Sequence, residues 1–143
     1  MRVEKLRAAH LRLLELQDAQ QYFLPDVSSE QYREAVEASP FSYSAFAGDT
    51  LVACAGCVEI WDNRATAWAL VSKNAGAHLF GLHRFVEGFM VSAKWRRIEA
   101  YVDAGFEPGM RWARMLGFKL ETPEPMRAFR PDGHDCFMFA RVK

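Results

Sequence analysis

The sequence predicts one α/β domain, in an α+β arrangement, over residues 1–143, with a mixed, mostly antiparallel sheet of about six or seven strands and about four flanking helices. Three observations lead to this class. Short alternating apolar segments recur along the chain. A long helical pattern from Leu79 to Trp95 repeats apolar residues at three- and four-residue spacing. A short helix ends at Gly117 immediately before another strand pattern.

The first quarter of the chain predicts one strand and two helices. Arg2–Arg7 alternates and indicates a strand. Helix formers with leucines at three-residue spacing predict a helix over Ala8–Phe23, which Pro25 stops. A serine, Ser28 or Ser29, is placed to cap the second helix.

Three antiparallel strands and the longest helix form the middle of the chain. The strands are predicted at 41–47, 51–61 and 65–72, because each is apolar and each is bounded by turn residues such as Gly48. The helix over Leu79–Trp95 follows.

The last third predicts three strands around a short helix. Strands are expected at 97–102, 119–122 and 136–142. The helix between the first two carries Pro108 in its first turn, where proline is tolerated, and ends at Gly117.

Composition narrows the partners that we expect. The chain has 18 Lys plus Arg and 18 Asp plus Glu, so its formal charge of zero predicts no nucleic-acid and no membrane partner. It has no apolar run of about 20 residues and no signal-peptide pattern, from which we expect a cytoplasmic protein. Cys54 and Cys57 lie three apart in a strand pattern and therefore point to opposite faces, so we expect buried cysteines and no metal site.

The segment YVDAGFEPGMRWARMLGF, Tyr101–Phe118, together with this order of elements, resembles the GNAT superfamily of N-acetyltransferases. The resemblance implies acetyl-CoA as co-substrate and a primary amine of unknown identity as acetyl acceptor. It implies that the backbone of Trp68–Ser72 binds the pantetheine amides and that the following loop receives the pyrophosphate at the start of the long helix. The cofactor-binding residues implied in this way are Leu70, Val71, Ser72, Lys73, Asn74, Ala75, Gly76, Ala77 and His78. An ordinary strand-to-helix turn is the alternative for this loop.

The short helix departs from the family pattern. Where the resemblance implies a tyrosine that protonates the departing thiolate, the chain has Ala113, and where it implies an asparagine the chain has Phe106. Tyr101 is the candidate substitute acid and Glu59 the candidate general base. A structural tyrosine and a solvated strand carboxylate are the respective alternatives.

A narrower resemblance rests on AWALVS, on the Tyr101–Phe118 segment and on the closing CFMFARV. Together they resemble small acetyltransferase-like proteins of tailed phages, including the family named for internal virion protein A of T7-like phages. Two hypotheses follow. The chain is an N-acetyltransferase acting on a small-molecule or protein amine, or it is a catalytically degenerate protein of the same fold that serves as a virion component or binds a host protein. A homodimer is compatible with both, and the expected location is the host cytoplasm or the virion.

Overall fold

The computed structural model describes all 143 residues, Met1–Lys143. It confirms the predicted class, with seven strands in one mixed sheet and five α-helices. The strands are β1 (Arg2–Lys5), β2 (Ser42–Ala47), β3 (Thr50–Trp61), β4 (Arg64–Val71), β5 (Arg97–Asp103), β6 (Lys119–Leu120) and β7 (Cys136–Val142). The helices are α1 (Ala8–Leu13), α2 (Leu24–Val27), α3 (Glu30–Ala38), α4 (Leu79–Ser92) and α5 (Glu107–Met115). No helix is long and apolar enough to cross a bilayer.

The strand order in the sheet is β1-β2-β3-β4-β5-β7-β6. The pairs β1–β2, β2–β3, β5–β7 and β6–β7 are antiparallel, whereas β4 and β5 are parallel. The parallel ladder is short: it joins residues 64–66 of β4 to residues 97–99 of β5 and then ends. The remaining residues of β5 continue in register with β7.

The chain forms two compact units, Met1–Val58 with Ala69–Val86, and Glu59–Trp68 with Glu87–Lys143. The first has a core that includes Leu6, Leu11, Val52, Leu70 and Leu82, each at most 2% exposed. The second is built around Trp95, Ile98 and Phe139, which are equally buried. The single domain expected over residues 1–143 stays a prediction.

The helix predicted over residues 8–23 is wrong in its length. The helix α1 ends at Leu13, and the chain is extended at Leu14. Leu14 and Leu16 are both buried while Glu15 between them is exposed. This two-residue period fits an extended chain and not a helix, so burial of both leucines ends the helix early. A 3-10 segment over Asp18–Phe23 follows.

Pro25 does not simply end a helix, because it lies in the first turn of the short helix α2. The predicted serine cap of the next helix is confirmed: Ser29 accepts a hydrogen bond from the backbone N–H of Tyr32 at 3.4 Å. The long helix ends at Ser92, three residues before the predicted Trp95.

Candidate functional site

The turn between β4 and α4 forms one wall of a cleft in the first unit. The turn is closed by the N–H of Ala75, which donates to the carbonyl of Ser72 at 3.1 Å, and by the N–H of Asn74, which donates to Ser72 Oγ at 3.0 Å. Gly76 then adopts a φ of +32°, which L side chains rarely take, and begins a 3-10 turn that continues into α4. The first N–H groups of a helix have no intrahelical acceptor, and they carry the positive end of the helix dipole.

The cleft has a volume of about 400 Å³ and lies along this turn. One side comes from the end of β4, the turn and the start of α4, and the other side comes from the chain that follows α1. Its lining residues are Gln17, Asp18, Val71, Ser72, Lys73, Ala75, Gly76 and Leu79. A Cβ built on Gly76 meets no atom within 4 Å, so the floor at this glycine is open.

The charges at the cleft are mixed. Lys73 is the cation of the turn, and its Nζ lies 3.1 Å from Oε2 of Glu15. Both side chains are about 60% exposed, so this is a solvent-screened ion pair. Asp18 adds a second carboxylate to the lining. An anionic ligand would therefore meet one cation, Lys73, which is already paired with Glu15, and the two carboxylates of Glu15 and Asp18.

Residues Glu15–Gln20, which we call the strap, lie along one edge of β4. Ser72 donates its N–H to the carbonyl of Val52 in β3 at 2.9 Å. Because backbone groups alternate in direction along a strand, those of Val71 and Ala69 point to the opposite edge. Gln20 occupies that edge with both ends of its side-chain amide: Nε2 donates to the carbonyl of Ala69 at 2.7 Å, and Oε1 accepts from the N–H of Val71 at 2.8 Å.

Two backbone bonds complete the contact of the strap. The N–H of Gln17 donates to the carbonyl of Val71 at 3.1 Å, and the N–H of Lys73 donates to the carbonyl of Glu15 at 2.8 Å. Leu16 and Ser72 form an isolated antiparallel bridge. The strap thus imitates a short additional strand, partly through side-chain amides.

The structure brings together most residues of the predicted cofactor loop. Val71, Ser72, Lys73, Ala75 and Gly76 line the cleft. Asn74, Ala77 and His78 are exposed beside it in sequence. Leu70 is only 2% exposed and belongs to the core, so it has only its backbone to offer a ligand.

The two catalytic candidates belong to the second unit. Oε2 of Glu59 lies 2.9 Å from Nζ of Lys94, and this hydrogen bond lowers the pKa of the Glu59 carboxyl. The hydroxyl of Tyr101 lies 3.4 Å from Oε1 of Glu99, and its ring packs against Phe129 with centroids 4.9 Å apart. Both roles stay predictions.

Glu99 is a buried carboxylate, 3% exposed, with two arginine partners. Arg64 approaches it with Nη2 at 2.9 Å and Nε at 3.1 Å, and Arg97 with Nε at 2.6 Å. The hydrogen bonds from Arg64 contribute most to lowering the pKa of Glu99, against the opposing effect of burial. Arg97 also pairs with Glu121. This network joins β4 and β5 to Glu121, the residue that follows β6.

The short helix α5 has no acid at the position where the family resemblance implies a tyrosine. Ala113 is 7% exposed and packs inward, and Phe106 is the residue that precedes the helix. The cysteines of the CxxC pattern are buried and form no disulfide, and burial raises the pKa of Cys54 to about 11 and of Cys57 to about 12. Their thiols therefore stay protonated near neutral pH.

Sequence reasoning did not find the strap. Residues 15–21 are ELQDAQQ, a polar run in which Leu16 and Ala19 are the only apolar residues, and it follows the leucines of the predicted helix without a break. A helix packed on a sheet needs apolar residues at three- and four-residue spacing. Leu16, Ala19 and Phe23 keep this spacing, so the sequence pattern continues as helix through the strap.

Comparison with solved structures identifies the fold. No protein-family model and no curated protein matches the chain. Solved structures do: a GNAT-family acetyltransferase from Bacillus anthracis superposes with a TM-score of 0.70 at 14% identity, covering 98% of this chain and 93% of that one. A ribosomal-protein alanine N-acetyltransferase from Escherichia coli gives 0.69 at 14% identity, covering 99% and 92%.

RimL, a ribosomal-protein acetyltransferase solved in complex with coenzyme A, gives a TM-score of 0.69 at 17% identity, covering 98% of this chain and 92% of its own. The chain therefore has the fold of the GNAT acetyltransferases over nearly its whole length. At these identities the likeness establishes the fold alone, and function has to be argued from the site.

Proposed function

We propose that this protein is an acetyl-CoA-dependent N-acetyltransferase-like protein that binds the phosphates of its co-substrate at the turn between β4 and α4. The observation that carries the proposal is the open, positive-φ Gly76 between Lys73 and the N-terminal end of α4. A glycine that allows close approach, next to the positive end of the helix dipole, suits a diphosphate. The N–H groups of His78 and Leu79 are already bonded within the 3-10 turn, to the carbonyls of Ala75 and Gly76, so the phosphates would meet the turn at Gly76 and Ala77.

The turn is open to the phosphate end of coenzyme A, whereas the edge of β4 that would receive its amide end is occupied. At the phosphate end, Gly76 leaves open space and Lys73 supplies a positive charge. At the amide end, the edge of β4 is already paired with Gln17 and Gln20. Acetyl-CoA would supply an activated acetyl thioester for an acceptor amine, which belongs to a small molecule or to a protein.

The chain's own groups for proton transfer would be Glu59 and Tyr101. Glu59 stays ionised over a wide pH range, since the Lys94 hydrogen bond lowers its pKa. An ionised carboxylate can accept a proton from an ammonium group, directly or through water. The lowered pKa makes it a weak base, so turnover is expected to be slow.

A second candidate function is that of a binding protein that keeps the fold without the chemistry, for example a virion component or a binder of a host protein. It is favoured by the buried Ala113 where the family resemblance implies a tyrosine on α5 and by the strap on β4. The two candidates differ in whether acetyl-CoA binds at all.

Titration with acetyl-CoA, followed by calorimetry and thermal unfolding, tests the proposal. At about 100 times the dissociation constant the ligand should stabilise the fold by about 2.7 kcal/mol. Lys73→Ala should weaken binding, most strongly at low salt, whereas Lys119→Ala, which removes an exposed lysine outside the cleft lining, should not. An unchanged melting temperature at millimolar acetyl-CoA would favour the binding protein.

A further inference from the structure

We propose that the strap is an internal competitor for the ligand site on β4: Glu15–Gln20 must leave this edge before an extended, amide-bearing ligand can lie along it. The proposal rests on the proposed function, which supplies such a ligand in coenzyme A. It adds that the free protein holds its own site closed and that the strap sets the affinity.

The competition follows from the hydrogen bonds that the strap makes along one edge of β4. The carbonyl of Ala69, the N–H and carbonyl of Val71 and the N–H of Lys73 are the groups that an added strand would use. All four are bonded to the strap at 2.7 to 3.1 Å. A second chain cannot pair there at the same time. The arm of coenzyme A carries two amide groups in an extended chain, so it offers the same donors and acceptors that the strap offers.

The strap is built so that it can leave. Leu16 is its only buried residue, and its hydrogen bonds to this edge come from the Gln20 side chain and from the backbone of Glu15 and Gln17. A hydrogen bond that is replaced by an equivalent bond to ligand or water costs little, because each contributes only about 0.5–1.5 kcal/mol net. The strap begins two residues after α1, and its last three residues, Asp18–Gln20, form the first part of the 3-10 segment, so that segment would move away from β4 together with the strap.

Release of the strap would also change the charge of the cleft. Glu15 now neutralises Lys73, and Asp18 lines the same cleft. Departure of the strap would take both carboxylates away and would leave the lysine unpaired beside the start of α4. One movement therefore frees the amide edge and makes the phosphate end more attractive to an anion.

Two variants release the strap without touching the turn or α4. Gln20→Ala removes both side-chain bonds to β4. Gln17→Pro removes the N–H that bonds Val71, and the φ of −61° at Gln17 already suits proline. Gln31→Ala is the matched control, because Gln31 is an exposed glutamine on α3 outside the strap.

The experiment measures binding of coenzyme A and of adenosine 3′,5′-diphosphate by calorimetry to the wild-type protein and the three variants. Hydrogen–deuterium exchange at the Val71 and Lys73 amides reports independently on whether the strap is in place. We expect Gln20→Ala and Gln17→Pro to speed exchange at these amides and to lower the Kd for coenzyme A about tenfold. The gain should be smaller for the diphosphate, which lacks the amide arm, and absent for Gln31→Ala.

The failures of the two proposals are distinguishable. If all four proteins bind coenzyme A with the same Kd while exchange shows the strap released, the cleft binds its ligand but the strap does not compete, and this inference is overturned. If none binds coenzyme A even with the strap released, the proposed function itself fails and the strap has no such ligand to exclude.

Discussion

Lys73 and Glu15 form an ion pair, with Nζ 3.1 Å from Oε2, that joins the turn after β4 to the strap. The pair is solvent-exposed, so its own contribution to stability is small, about 0–1 kcal/mol. The pair matters more for ligand binding in the cleft. The one cation in the lining of the cleft is shared with a carboxylate that any bound phosphate must displace or tolerate.

Removing that carboxylate should strengthen anion binding. Glu15→Gln keeps the size of the side chain and its backbone bond to Lys73, and it frees the ammonium group. We expect the Kd for adenosine 3′,5′-diphosphate to fall about two- to fivefold at low salt, with the gain fading at high salt. Glu34→Gln makes the same change in net charge on an exposed position of α3. Equal effects of the two variants would mean that only net charge matters.

Gly76 should be required for the ligand more than for the fold. A Cβ there meets no atom within 4 Å, but the φ of +32° strains any L residue, so Gly76→Val should lower the free energy of unfolding by about 1–2 kcal/mol. Its side chain would project into the space that a diphosphate needs, and binding of coenzyme A should be lost.

Gly48→Val provides the control for that strain. Gly48 has a φ of +59°, equally open surroundings and a position in the turn between β2 and β3. It should cost similar stability, measured by urea unfolding, and leave the Kd for coenzyme A unchanged. Retention of binding in Gly76→Val would place the ligand site away from this turn.

The carboxylate of Glu99 should make the stability of the protein sensitive to acid. Its pKa is lowered in the folded protein, so its contribution is present above the ordinary carboxyl pKa of about 4.3 and is lost as the pH falls through the folded value. Glu99→Gln should cost about 1.5–3 kcal/mol at pH 7, toward the lower end because Arg64 and Arg97 are about 30% exposed.

The same variant should lose less stability than the wild type between pH 5 and acid unfolding, as measured by urea unfolding at several pH values. Glu34→Gln, at an exposed position on α3, should follow the wild-type curve. If the curve of Glu99→Gln runs parallel to that of the wild type, the arginine network does not set the acid response.

How much of this molecule the sequence predicts depends on whether the pattern is local. The strands from β2 to β5 and the serine cap at Ser29 follow from alternation and capping, which involve neighbours in sequence. The break of α1 at Leu13 does not, because it arises when Leu14 and Leu16 are both buried by distant residues.

The candidate site also has one part that follows from local sequence and one part that depends on distant residues. The turn Ser72–Gly76 is recognisable from its glycine and its place before a long helix, whereas the bonds from Gln17 and Gln20 to β4 join residues about fifty positions apart in sequence. Glutamines are common on exposed helices, and nothing in ELQDAQQ distinguishes a side chain that pairs with a strand from one that faces solvent.

Replacing Gly88 by alanine should stabilise the fold without affecting the cleft. It lies inside α4, has no positive φ, and a Cβ there meets no atom within 4 Å. Gly88→Ala should therefore raise the free energy of unfolding by about 0.5–1 kcal/mol. Gly81→Ala is the comparison, because its Cβ would lie 3.3 Å from Cε of Met1 and should yield a smaller gain. A destabilising Gly88→Ala would show that α4 needs the glycine for a purpose other than its helical conformation.

The hydrogen bond between Lys94 and Glu59 gives the sharpest test of chemistry. If Glu59 is the general base, Glu59→Gln should reduce acetyl transfer most near neutral pH, where the acceptor amine is largely protonated. Lys94→Met should raise the pKa of Glu59, since the bond from Lys94 is the main cause of its lowering. A base acts only when ionised, so the acidic limb of the kcat/KM profile should move to higher pH in Lys94→Met and stay in place in Lys119→Met. If neither Glu59→Gln nor Lys94→Met alters the rate or its pH profile, Glu59 is not the general base and serves only as the ion-pair partner of Lys94.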